Sequence, residues 1–156
     1  MTMLERLLPR QFDNRFEGHR AGLWLLGLLL ALKLVISVNS LLNTESVAAG
    51  ADKFPLASYG ADGANAVLML FALHALAGLM LALIGVLALV RYRAMVPLVF
   101  VLLTAEQIMR RLIVQGYAIQ RSEPTSAAVI VNMTLLGLLL LGLSLSLWPR
   151  KRAAAP

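Results

Sequence analysis

The chain has 156 residues, 60% of them hydrophobic and 14% charged, against the roughly 25% charged content usual for soluble domains. That balance excludes an ordinary soluble enzyme, whereas four membrane-spanning helices of about 20 residues each would absorb most of the apolar inventory. The net charge is +6, but the basic residues stand in short clusters beside apolar runs rather than in a long stripe. This points to membrane topology and anionic lipid, and away from nucleic acid. With no cysteine in the chain, disulfides, thiolate metal ligation and thiol nucleophiles are excluded.

Residues 1–20 read as a cytoplasmic N-terminal segment carrying Arg6, Arg10, Arg15 and Arg20. Leu4, Leu7 and Leu8, followed by Phe12 and Phe16, suggest a short helix on the lipid surface, broken near Pro9. Residues 21–148 form the membrane domain, with apolar runs at about 21–42, 64–90, 94–114 and 127–148. At 1.5 Å per residue each run spans a hydrocarbon core of about 30 Å. None alternates with period two, and backbone groups in lipid need internal partners, so the runs are read as helices. The first run outlasts a signal-peptide core, and Ala49-Gly50-Ala51 lies beyond its end, so it reads as an uncleaved signal anchor. The loop of residues 43–63 holds Pro55, Gly60 and Gly63 and reads as an ordered, turn-rich connector. In the competing reading Phe54, Leu56 and Tyr59 dip into the interface. Residues 149–156 are a basic cytoplasmic tail.

Lysine and arginine counts orient the bundle. The N-terminal segment, Arg91 and Arg93 in the second loop, and Arg150, Lys151 and Arg152 in the tail belong on one side. The first loop offers only Lys53 against Glu45, Asp52 and Asp62, and the third has Arg121 against Glu123. The expected fold is therefore an all-α polytopic membrane protein with four transmembrane helices and both termini cytoplasmic. Trp24, Tyr92 and Trp148 fall at the cytoplasmic interface and Tyr59 and Tyr117 at the other, in agreement. The same asymmetry argues against a dual-topology dimer.

Charged groups at the centre of a span cost about 2.5–3.5 kcal/mol each on the insertion scale, which makes Lys33, Glu106, Arg110 and Arg111 the residues that need explaining. Lys33 and Glu106 each lie about 12 residues from the cytoplasmic end of their helices, near 18 Å at 1.5 Å per residue, so an interhelical pair is geometrically open. Glu106 and Arg110 at i, i+4 compete for the same role within one helix. A structural Lys33–Glu106–Arg110 cluster is the plainer account, and ligand binding or proton handling the sharper one. On the first helix Lys33, Ser37, Ser40 and Thr44 form a polar stripe that must face protein or water, with Asn39 and Asn43 on another flank.

The second helix carries Ala75, Gly78, Ala82 and Gly85, a small-residue seam admitting close backbone approach. His74 borders it, and its plainer reading is a hydrogen bond across the helix interface. On the fourth helix Gly142 and Ser146 form a small-residue pair. By depth, Asn39, His74, Arg110 and Asn132 share an outer layer, about 24–27 Å from the cytoplasmic end, and could close one polar chamber. A bis-histidine haem site within one chain is excluded, because the other histidine is His19, and metal ligands are too few. Paired carboxylates and an activated serine are missing from the spans, so no enzymatic activity and no cofactor are expected.

The stretches Asp13-Asn-Arg-Phe-Glu-Gly-His-Arg20, Lys33-Leu-Val-Ile-Ser-Val-Asn39, Leu89-Val-Arg-Tyr-Arg-Ala-Met-Val-Pro97 and Glu106-Gln-Ile-Met-Arg-Arg111 resemble small four-helix inner-membrane proteins of proteobacteria. The resemblance implies the fold and a multi-pass place in the bacterial inner membrane, and no activity. The leading expectation is a non-enzymatic accessory or scaffold subunit that packs on itself or a larger complex through the small-residue seam. The alternative is binding or transport of an amphiphilic ligand such as a lipid or quinone, with an anionic group favoured by excess positive charge, in a chamber of Lys33, Asn39, His74, Glu106, Arg110 and Asn132. A third, proton movement through Glu106, is opposed by neighbouring arginines that hold it ionised. Expected partners are membrane lipids, a homo-oligomer or a larger membrane complex, and no nucleic acid.

Overall fold

The computed structural model describes residues 5, 7, 13–117 and 126–148, with 126–128 described by backbone alone. The expectations for Leu4, Leu8, Pro9 and Phe12, for the loop with Arg121 and Glu123, and for the tail of Arg150, Lys151 and Arg152 fall outside the described residues. Among the described residues there are α-helices and no strands: α1 Arg20–Leu42, α2 Thr44–Gly50, α3 Ala61–Arg91, α4 Val96–Gly116 and α5 Ser126–Leu147. Short 3-10 turns occupy Leu56–Ser58 and Arg93–Met95. Three segments, Arg20–Leu42, Ala61–Arg91 and Val129–Leu147, are long and apolar enough to cross a membrane. The chain is a membrane protein on that ground. α4, at 21 residues, has sufficient length, but Glu106, Arg110 and Arg111 set it apart from those three.

Local chemistry sets the helix limits. α1 starts where Nδ1 of His19 accepts the Ala21 N–H at 3.2 Å, a cap for an otherwise unpaired donor. α3 has Asp62 in its first turn and Arg91 in its last, both complementing the helix dipole. Pro97 sits in the first turn of α4, where its missing N–H breaks no helical bond.

The four long helices form a ring in the order α1, α3, α4, α5. α1 packs most extensively on α3 and then on α5, α4 packs chiefly on α5, and the α3–α4 contact is the least extensive of the ring. At one end, the base, residues 13–19 cross beneath the bundle. The His19 N–H donates to the Leu145 carbonyl at 2.9 Å, and the Ala94 N–H donates to the Asp13 carbonyl at 3.3 Å. The N-terminal segment, the α3–α4 turn and the end of α5 therefore share one end of the molecule, which gathers Arg15, Arg20, Arg91 and Arg93. The opposite end, the roof, carries α2.

The base half holds the apolar core. Leu26, Leu30, Val96, Val99 and Phe100 are the largest fully buried side chains, and Leu139 of α5 joins the same cluster. Between lipid and helix surface there is little hydrophobic driving force, so this core holds by close packing. The Phe100 ring fills the space at Gly142 so fully that a Cβ there would overlap it.

The roof departs from the expected connector. Residues after Asn43 wind into α2, and Lys53 takes a left-handed φ of 57°, which lets the Phe54 N–H reach back to the Ala48 carbonyl at 3.0 Å. Phe54 then meets Phe71 of α3 edge-on, with ring centroids 6.2 Å apart. It packs on the bundle rather than on lipid. The left-handed region costs an L-residue roughly 1–2 kcal/mol, partly offset in glycine by its larger ordering entropy. Lys53→Gly should therefore raise stability by about 0.5 kcal/mol and Lys53→Val lower it, as read by thermal unfolding in detergent.

Candidate functional site

The seam on α3 brings α1 close enough to build the site. Ala75, Gly78, Ala82 and Gly85 are all buried. They face α1 of the same chain: a Cβ on Gly85 would sit 2.5 Å from Leu30 Cδ2, and one on Gly78 would sit 3.1 Å from Ser37 Oγ and 3.8 Å from Lys33 Nζ. The seam is thus occupied within the chain, and any second subunit would have to use another surface. Its local effect is to seat the Lys33 ammonium beside Gly78, where no side chain from α3 competes for space.

From there the Lys33 ammonium reaches across the ring to α4. Nζ donates to both carboxylate oxygens of Glu106, at 2.8 Å to Oε1 and 2.6 Å to Oε2. Side-chain exposures of 23% for Lys33 and 27% for Glu106 put the pair at the edge of a water-sized space rather than in a sealed core. The intrahelical competitor is not used: Arg110 turns to Asn132 Oδ1 on α5 at 3.5 Å, and Gln107 Nε2 reaches the same oxygen at 3.3 Å.

The pair borders a cavity of about 240 Å³ in the roof half. α1 contributes Leu29, Leu32, Lys33, Ile36, Ser37 and Ser40, α3 contributes Phe71, His74, Ala75 and Gly78, and α4 contributes Leu103, Glu106, Gln107 and Arg110. Leu135 and Leu139 of α5 complete the wall, with Val47, Ala51 and Asp52 over the top. Apart from Ala51 over the top, the lining residues that are also exposed fall on two sides. Leu32 and Ile36 make an apolar rim towards α5, and His74 and Arg110 a polar rim between α3 and α4.

Two hydroxyls in that wall are unusual. Ser37 and Ser40 are only 6% and 7% exposed, and neither has a hydrogen-bond partner among the described residues. Buried hydroxyls elsewhere are satisfied by their own helix: Thr104 donates to the Phe100 carbonyl at 2.7 Å and Ser146 to the Leu143 carbonyl at 2.7 Å. A buried hydroxyl without a partner carries a desolvation cost of about 1–3 kcal/mol, and these two face the one polar space near them.

The structure brings Lys33, His74, Glu106 and Arg110 to one cavity, with Asn132 held just behind through Gln107 and Arg110. Asn39 is not among them. It is exposed and accepts a hydrogen bond from Asn43 Nδ2 at 2.8 Å, because depth along a helix says nothing of azimuth. His74 lines the cavity without a hydrogen bond across the helix interface among the described residues. Arg111 leaves the site and contacts Met133 Sδ at 3.6 Å. Asp52 is the residue that sequence reasoning missed. The only signal was an acidic count in a loop, and the left-handed turn at Lys53 that orders this stretch has no periodic signature. Among the described residues no three histidine or acidic side chains gather as a metal site would need.

Fold and site together describe a helical membrane protein with a polar cleft in one half of its bundle. In comparisons with known proteins, no family model, no curated protein and no solved structure matches the chain.

Proposed function

We propose that this is a non-enzymatic protein of the bacterial inner membrane that binds a small amphiphile, such as a lipid or quinone, in the roof-half cavity. The observation that carries this reading is the pair of buried, unpartnered hydroxyls of Ser37 and Ser40 facing the same space as the Lys33–Glu106 pair. Helix glue would have satisfied those hydroxyls across an interface, whereas a polar head inserted from the side satisfies them directly. Within this reading α4 is the fourth span, its carboxylate neutralised by Lys33, and both termini are cytoplasmic. The gathering of arginines at the base supports that orientation.

Purification from native membranes in mild detergent followed by native mass spectrometry tests the proposal. A small molecule should accompany the wild-type chain and be lost from Ile36→Trp, since Ile36 lines the cavity yet is half exposed and accepts bulk without disturbing the core. An empty wild-type spectrum, or retention unchanged in Ile36→Trp, overturns it.

A second reading, an accessory subunit of a larger complex, draws on one specific observation. Every residue from Ile108 to Tyr117 is exposed, and within this largely apolar stretch stand Arg110, Arg111 and Gln115, three side chains that lipid tails solvate poorly. A stoichiometric polypeptide in the same purification, with no small molecule, would favour it.

A further inference from the structure

We infer that the occupant of the cavity is a single zwitterionic phospholipid whose head carries a primary ammonium and a phosphate. The inference rests on the amphiphile-binding reading above and narrows it by charge, order and size.

Charge comes first. The intramembrane residues in the sequence leave three cations against one carboxylate, but the cavity itself is balanced. Arg111 lies outside it and Asp52 enters it, so Lys33 and Arg110 face Glu106 and Asp52. An anionic head would break that balance, and a zwitterionic one preserves it. Asp52 has no ion-pair partner among the described residues, and Arg110 has only the long contact to Asn132. Each therefore keeps capacity for a ligand group of opposite sign.

Order along the bundle comes second. Asp52 stands at the roof, Arg110 lies beneath it on α4, and Glu106 with Lys33 lies about 6 Å deeper, four residues along the helix. A phospholipid entering from the bilayer presents the same sequence from the surface inwards: ammonium, then phosphate, then acyl chains. Its tails leave through the apolar rim of Leu32 and Ile36.

Size and hydrogen bonding complete the case. The volume of about 240 Å³ is below the roughly 300–1,000 Å³ of sites that enclose a whole small molecule, so it holds a head and leaves the chains in lipid. A quaternary ammonium is recognised by a cage of aromatic faces, and among the described lining residues Phe71 is the one phenylalanine, tyrosine or tryptophan. A carboxylate and orphaned hydroxyls suit an N–H donor instead.

The test uses the full-length protein in mixed micelles with equal amounts of phosphatidylethanolamine, phosphatidylcholine and phosphatidylglycerol, read by native mass spectrometry. One phosphatidylethanolamine per chain is expected, preferred about tenfold over either competitor, the worth of one charge-assisted hydrogen bond. Asp52→Asn, which alters only the roof, should shift the preference towards phosphatidylglycerol. Glycerophosphoethanolamine, which has the head without the chains, should not displace the lipid at equal concentration. Equal or greater retention of phosphatidylglycerol or phosphatidylcholine by the wild type overturns the inference and leaves amphiphile binding standing. Displacement by the soluble head group overturns a lipid occupant. A wild-type protein that retains none of the three lipids, but still carries a small molecule from native membranes, overturns the inference alone; one that carries nothing in either experiment overturns both.

Discussion

Lys33→Met is expected to destabilise the folded protein by about 2 kcal/mol, and Lys33→Met combined with Glu106→Gln by clearly less. Removing one partner of a fully buried pair costs roughly 3–5 kcal/mol because a charge is left without compensation. The quarter exposure of both side chains lets water reach the orphan and lowers that figure. In the double variant no unpaired charge remains, and a methionine lies beside a neutral amide. Thermal or denaturant unfolding in detergent of the wild type, both single variants and the double variant closes a thermodynamic cycle. A double variant as unstable as the sum of the singles would mean that the two groups do not interact.

The second large effect is expected at the base. Gly142→Ala should cost about 1–3 kcal/mol by overpacking, since a Cβ at this position would overlap the ring of Phe100, which is 0% exposed and has nowhere to go. Gly142→Ala with Phe100→Leu should recover part of the loss, because the smaller side chain vacates the space the new methyl enters. The same unfolding measurement decides. If Gly142→Ala alone is as stable as the wild type, α4 and α5 are not held at the distance described. Gly78 lacks this severity: the nearest atom to its Cβ would be Ser37 Oγ at 3.1 Å, on a side chain that can rotate.

Heights were legible in the sequence and directions were not. Counting residues placed Lys33 and Glu106 at one level, and the two do pair. The same count placed Asn39 level with His74 and Arg110, yet Asn39 turns to Asn43 on another face of α1. Ala75, Gly78, Ala82 and Gly85 announced a close helix contact through their size alone. Nothing in that pattern distinguishes a helix of the same chain from a second subunit, and it is α1 that fills the seam. α1, α3 and α5 followed from hydropathy because lipid imposes length and composition on a span. α2 and the placement of Asp52 did not, because a short roof element is set by one left-handed residue and an aromatic contact. The unpartnered state of Ser37 and Ser40 is likewise a property of the assembled wall: the hydroxyls could be read, but not what faces them.

Lys33 precedes Glu106 by 73 residues in the chain. At synthesis rates of roughly 5–20 residues per second, the ammonium emerges about 4–15 s before the carboxylate that will hold it. During that interval α1 and α3 can already close along their seam with a cation between them. Arrival of α4 neutralises the pair, and the end of α5 then supplies the carbonyl of Leu145 to His19. The end of α5 thus secures the start of α1, and the time for which the Lys33 ammonium waits for its carboxylate is set by the length of chain between them.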